Sequence, residues 1–311
     1  MGSALLGVGH FLPAEIEVVG VRRPMAAEAV GPSTLAVRAA AGALAQAGID
    51  PEAVQFIVFA TMTPDVTFPG AGCFLQQQLG CGTVGALDVR AQCAGFLFGL
   101  VVADRFVRAG AYERVLLAAG EVHSAGLDYS EAGAHVAALY GDGAGVAIIG
   151  RGAAGAGLRG AALHTDGRHH REFWCEYPAS RQHPVRMTVE DFRRGRHYLQ
   201  LDVDAVRRFA DEALPAVIDE ALRDAGIGAQ VVDRYIVAHV LPDVADRVGA
   251  RLGVSADRLS NPSARHGHLS AAALPVALSE DLARGIVGRG ATVCLAACGA
   301  GFAWGAAVLT L

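Results

Sequence analysis

Charge is scarce in this sequence. Of its 311 residues only 18% are Asp, Glu, Lys or Arg, against 52% hydrophobic. That balance excludes a disordered chain, which buries too little apolar surface to offset the entropy of ordering. It favours a large buried core instead. The formal net charge of −5 gives no overall attraction to nucleic acid or an anionic membrane, so a charged partner must be met by a local patch. Paired CxxC spacings are missing among Cys73, Cys81, Cys93, Cys175, Cys294 and Cys298, and the chain has no basic-then-apolar secretory start. Reduced thiols in a cytoplasmic protein, with no metal or cofactor, are the expectation. One stretch, Thr292 to Leu311, lacks charge altogether and is long enough to span a bilayer. Gly299, Gly301 and Gly305 interrupt it, so it reads as two buried strands, Val293–Leu295 and Val308–Leu311, joined by a glycine turn.

What is present is an alternation of strands and helices. The 39 glycines and many alanines point to close backbone packing. In the first half the pattern predicts strands at Leu5–Gly9, Phe56–Ala60, Val84–Asp88, Arg114–Gly120 and Ala144–Ile149. Helices are expected at Ser33–Ala47 (with Ser33 as N-cap), Gly70–Leu79 and Cys93–Arg108. The second half repeats this grammar, with helices at Ala205–Ala225, Val240–Leu252 and Ser270–Arg284 and a strand at Tyr235–Ala238. Between the halves, Asp166–His197 is irregular and rich in Arg and His, yet carries Phe173, Trp174 and Tyr177, which need burial. It reads as a surface excursion or lid.

The helix after Cys93 is apolar on nearly every face, as helices at the centre of a protein are. A cysteine in its first turn meets unpaired N–H groups and the positive end of the helix dipole, which favour thiolate. A lone buried cysteine is otherwise most often a small core residue. The surrounding segments reverse that. Asp88-Val89-Arg90-Ala91-Gln92-Cys93-Ala94-Gly95-Phe96 is similar to the nucleophile segment of β-ketoacyl-carrier-protein synthase III enzymes, a family of the thiolase superfamily. Gly141-Asp142-Gly143-Ala144-Gly145, Arg265-His266-Gly267 with Ser270-Ala271-Ala272, and Gly299-Ala300-Gly301-Phe302-Ala303-Trp304-Gly305 resemble its later landmarks, in the same order.

The resemblance implies an α/β protein with the thiolase-like five-layered αβαβα fold, made of two pseudo-symmetric halves, residues 1–160 and 161–311. It implies Cys93 as nucleophile and His239, in Ala238-His239-Val240-Leu241-Pro242, as the catalytic histidine. It also implies an oxyanion hole from the backbone N–H groups of Cys93 and Ala300. His268 stands where the family carries a catalytic asparagine, and His266 is assigned to structure. Phe68 matches a phenylalanine that crosses the dimer interface into the neighbour's acyl pocket, although an ordinary core aromatic remains open; Cys298 replaces an aromatic residue beside the closing glycines. Arg207, Arg247 and Arg251 resemble a basic docking patch for an acidic acyl carrier protein, or are a solvated helix face. The stretch between Pro13 and Val21 is about twenty residues shorter than the family's, by comparison of the flanking segments. The residues that sandwich the coenzyme A adenine belong to it. The expectation is a homodimeric acyltransferase that takes acyl groups from a carrier protein, with acyl-coenzyme A less favoured. It would condense them with a malonyl-type thioester in specialised metabolism. A non-decarboxylating acyltransferase and a silent partner subunit are the alternatives.

Overall fold

Phe56–Ala60 and, between its charged ends, Arg114–Glu121 are continuously apolar because both faces of their sheet are covered. The computed structural model describes residues 2–311. Its first sheet has five strands, in spatial order Gly85–Val89, Phe56–Ala60, Arg114–Glu121, Gly143–Gly152 and Gly2–Phe11. The first two pairings are parallel and the last two antiparallel. The second sheet, also of five strands, runs Leu259–Ser260, Arg234–Ala238, Thr292–Gly299, Ala303–Thr310 and Gly157–Thr165. Its pairings follow the same sequence of parallel, parallel, antiparallel, antiparallel. The halves are therefore topological copies.

Side-chain alternation divides each sheet into two faces. In the first, Ile57, Phe59, Leu116 and Ile148 pack under the helices Pro32–Ala47 and Ala71–Leu79. Val58, Ala60, Leu117 and Ala147 face the other way, onto the central helices Gly95–Arg108 and Ala273–Ala283. The same central layer meets Ile236, Leu295 and Leu309 of the second sheet. Tyr235, Val237, Ala296 and Val308 turn outward beneath Val203–Ala225 and Asp243–Leu252. Three apolar clusters thus fill the four seams between five layers, αβαβα, the central one spanning both sides of the middle helices. The uncharged C-terminal stretch forms two strands of one hairpin, and among the described residues no helix is long and apolar enough to cross a membrane.

Some local expectations change. Gly31, not Ser33, is the N-cap of the first long helix; Pro32 opens it, and Ser33 Oγ instead donates to Asp65 at 2.7 Å. The strand Gly157–Thr165 was not apparent in the sequence because its glycines and Arg159 read as loop. It belongs to the second sheet, so residue 160 lies inside a strand. The excursion between the halves is partly ordered. Phe173–Trp174 pairs with Gln200–Leu201, and the helix Val189–Arg193 starts on a capping box made by Thr188 and Asp191. Phe173 and Tyr177 are buried, while Trp174 stays half-exposed near Arg171 and Arg181.

Candidate active site

Both central helices are entered through a 3-10 turn, Gln92–Ala94 on one side and Ser270–Ala272 on the other. Each entry holds a non-glycine residue in the left-handed region, Gln92 at φ 50° and Ser270 at φ 47°. Such conformations persist only where surrounding packing enforces them. Cys93 lies in the first of these turns, ahead of the helix and not within its first turn as its sequence suggested. The thiol is 1% exposed, and burial pushes its pKa up to about 12 despite hydrogen bonds from Ser270 and backbone N–H groups. Desolvation outweighs the helix terminus here. Cys93 is a thiol in need of a base.

His268 is the ring that stands beside it. Its Nε2 is 3.0 Å from Cys93 Sγ and its Nδ1 is 3.4 Å from Ser263 Oγ. The ring is fully buried, and burial, with the nearby His123 and His239, holds its pKa well below the usual histidine value. His239 is also buried, and burial lowers it to about 4. Its Nδ1 accepts the Leu241 N–H at 3.1 Å, which leaves the proton on Nε2. At neutral pH both rings are uncharged donors or acceptors.

The backbone completes the set. The backbone N–H groups of Cys93 and Ala300 lie near the Cys93 sulfur and favour its thiolate. Ala300 is not among the residues with positive φ, so alanine in place of the family's glycine keeps the donor without strain. Gly299 cannot change in the same way: a Cβ there would stand 2.6 Å from Cys93 Sγ. Cys298, beside it, is buried in the seam that also holds Cys93 and Phe302.

Other expected positions fare differently. Phe68 is 80% exposed, which excludes an ordinary core aromatic. Arg207, Arg247 and Arg251 do share one face, the seam of the two outer helices, but they do not form a free basic patch. Arg207 Nε donates to Asp243 at 3.1 Å, Arg247 pairs with Asp211, and Arg251 donates to the Asp211 carbonyl at 2.7 Å. Acidic residues on the facing helix absorb the charge. His266 Nε2 is 2.9 Å from Glu280, away from the thiol. The shortened early segment is a tight hairpin, Glu15–Val18 with Val21–Pro24, turned by Val19 and Gly20 at φ 43° and 84°.

Sequence reasoning missed Glu121, His123, Tyr140 and Ser270. Glu121 is fully buried and accepts hydrogen bonds from Met62 N and Thr61 Oγ1 at 3.2 Å and Thr63 Oγ1 at 2.7 Å. Burial still pushes its carboxyl up to about 7. Its signal was an acid ending an otherwise apolar strand.

The family profile of 3-oxoacyl-(acyl-carrier-protein (ACP)) synthase III matches residues 87–167, and that of its C-terminal region matches residues 222–311. The β-ketoacyl-(acyl-carrier-protein) synthase III of Bradyrhizobium diazoefficiens is 32% identical over 99% of this chain and 98% of its own. That of Rhodospirillum centenum is 33% identical, again over 99% and 98%. Among solved structures, the priming β-ketosynthase from the R1128 polyketide biosynthetic pathway superposes with a TM-score of 0.90 at 27% identity, covering 100% of this chain and 96% of that one. Both profiles fall on the elements that carry Cys93, His239 and His268, and the relatives align from end to end: the chain is an acyltransferase that belongs to the 3-oxoacyl-(acyl-carrier-protein) synthase III family.

Proposed function

We propose that Cys93 takes an acyl group from a carrier protein and that the enzyme condenses it with a malonyl-type carrier-protein thioester, releasing carbon dioxide. The observation that carries this reading is the buried, neutral His268 in contact with the nucleophile, with the buried, neutral His239 close enough to influence it. His268 Nε2 accepts the thiol proton, the thiolate attacks the incoming thioester, and the backbone N–H groups of Cys93 and Ala300 hold the oxyanion. The proton then passes from His268 to the departing phosphopantetheine sulfur. In the second half-reaction the malonyl carboxylate leaves as carbon dioxide, and its bonding pair moves onto the thioester to form an enolate. The enolate oxygen accepts from Nε2–H of His239 and of His268, its carbon attacks the acyl carbonyl, and Cys93 leaves with one proton taken up. Ser263 Oγ can donate or accept, so it serves both tautomers of His268 that these steps require.

A carrier protein is favoured for both steps because the early segment is too short to supply the coenzyme A clamp. A place in specialised metabolism is favoured by that shortening, by the long excursion, and by the likeness to a polyketide priming enzyme. The working unit is proposed to be a homodimer joined through the first half.

Mass spectrometry of the protein offered acyl pantetheine thioesters, then malonyl carrier protein, tests the proposal. Cys93 becomes acylated and carbon dioxide is released. His268→Ala slows acylation about 100-fold, as loss of a general base does, and loses carbon dioxide release. His268→Asn restores part of the release and little of the acylation rate, because an amide donates a hydrogen bond but takes no proton. An acyl-enzyme that releases no carbon dioxide makes this a non-decarboxylating acyltransferase. No acyl-enzyme at all makes it a silent subunit.

A further inference from the structure

Behind Cys93 the rings form a file. His268 meets Tyr140 at 5.6 Å between centroids, and Tyr140 meets His123 at 4.6 Å. Tyr140 is fully buried and His123 is 5% exposed, yet neither Tyr140 Oη nor His123 Nε2 has a hydrogen-bond partner. A buried polar group left unpaired costs about 1–3 kcal/mol. Two in contact are unexpected in a pocket built for hydrocarbon, where leucine and phenylalanine would fill the same space without that cost.

The file ends at a cavity of about 380 Å³, large enough for a short acyl chain or a single ring. His123, Met62 and Leu127 form part of its wall. Met62 ties this wall to the nucleophile, since Ser270 Oγ donates to Met62 Sδ at 3.2 Å and stands close enough to the Cys93 sulfur to favour its thiolate. The remaining lining includes Arg90, Arg186 and His197 but no aspartate or glutamate. His197 Nδ1 is a third buried polar atom without a partner, and among the described residues neither arginine is paired with a carboxylate. Burial keeps His123 neutral, down to about pH 3, and keeps the Tyr140 hydroxyl protonated. The wall therefore offers a neutral ring nitrogen of His123 and the guanidinium donors of Arg90 and Arg186 to an oxygen, and no anion to repel one.

We propose that this pocket selects acyl groups bearing an oxygen beyond the thioester carbonyl, a hydroxyl or a carboxylate, with His123 of its wall as the specificity-determining residue and Tyr140, packed behind it, as the residue that positions it. The inference rests on the Cys93 acyl-enzyme proposed above and adds to it the class of acyl donor. A site built to hydrogen-bond a substrate oxygen discriminates strongly against the analogue lacking it, because its own polar groups are then left unpaired.

The experiment uses pantetheine thioesters in near-isosteric pairs, 3-hydroxybutyryl against 3-methylbutyryl and succinyl against 4-methylpentanoyl, with the rate of Cys93 acylation read by mass spectrometry. In the wild-type protein the oxygenated member of at least one pair reacts ten-fold faster or more, and the pair that shows it separates a hydroxyl from a carboxylate ligand. His123→Leu and Tyr140→Phe each bring that ratio down at least three-fold, chiefly by speeding the hydrocarbon member. A wild-type ratio below ten in both pairs overturns the proposal without recourse to any variant. A high ratio that both variants leave unchanged removes these residues from it. If Cys93 is acylated by none of the four, the acyl-enzyme reading itself fails and this inference falls with it.

Discussion

The two halves share one strand order and differ at one edge. In the first, the outermost strand Gly85–Val89 spans five residues, four of them exposed, with Leu87 at 39%. Val66 and Phe68 stand exposed nearby in sequence, at 45% and 80%. Its counterpart in the second half, Leu259–Ser260, has only two residues, half-buried and buried. An edge strand exposes unpaired N–H and C=O groups that invite another strand, and short edges are one way proteins avoid this. The second half is blunted. The first is left open and carries the exposed Leu87, which suits the pairing with a second copy proposed above. The same asymmetry runs through the chemistry: the first half supplies the sulfur, the second both histidines.

The largest effect expected from this difference is on assembly. Leu87→Asp places a charge in the open edge and should convert a dimer into a monomer, halving the mass by light scattering at micromolar protein. Val231→Asp, at an exposed apolar residue of the second half, should leave the mass unchanged. A wild-type protein already monomeric at that concentration removes the reading of the edge as an interface.

Much of this arrangement was legible in the sequence, and the exceptions share a cause. Long buried strands and the central helices announced themselves because burial on both sides leaves no polar residues to obscure the pattern. Cys93, His239, His268 and Ala300 stand out through the segments that hold them, and the fold sets His268 against the Cys93 sulfur with His239 near enough to His268 to influence its charge. What could not be read was the balance of forces. A thiol near a helix start reads as acidic, and only the 1% exposure shows that desolvation prevails. Arg207, Arg247 and Arg251 read as a basic patch because their partners, Asp211 and Asp243, lie thirty-six or more residues away in sequence or on the facing helix. His123 and Tyr140 carry no motif. Their significance lies in the hydrogen bonds they lack.

Titration should set buried histidines against a buried carboxylate. His239, from the second half, titrates at about 4 in the fold and at 6.5 as a free side chain. The unfolded chain therefore binds the proton first, and the stability present above pH 6.5 is lost as pH falls towards 4. At about 1.4 kcal/mol per unit this is about 3 kcal/mol for His239, and His123 and His268 act with the same sign. Glu121, from the first half, does the opposite. Its carboxyl is raised from 4.5 to about 7, so the fold binds that proton first and gains stability as pH falls through this window. Urea midpoints measured from pH 7 to 4 should fall on acidification. Glu121→Gln should steepen the fall and His239→Gln should make it shallower. Parallel curves for all three proteins would mean these groups are not held in the protonation states described.

The smallest effect is expected at the outer helices of the second half, where carrier-protein docking would have to act through arginines already engaged. Arg207 meets Asp204 and Asp243, and Arg247 meets Asp211, so an approaching acidic carrier finds nearly balanced charge. Exposed pairs of this kind are worth about 0.2–1 kcal/mol each, and the attraction they leave over is screened within about 10 Å at 0.1 M salt. Arg247→Glu should therefore reduce kcat/KM for a carrier-borne acyl group only about three-fold at low salt, and the difference should vanish at high salt. Asp211→Asn, which frees Arg247, should raise it by a similar factor. A pantetheine thioester of the same acyl group carries no acidic protein and should respond to neither change. If Arg247→Glu slows both donors equally, the arginine holds the two helices together and the carrier docks elsewhere.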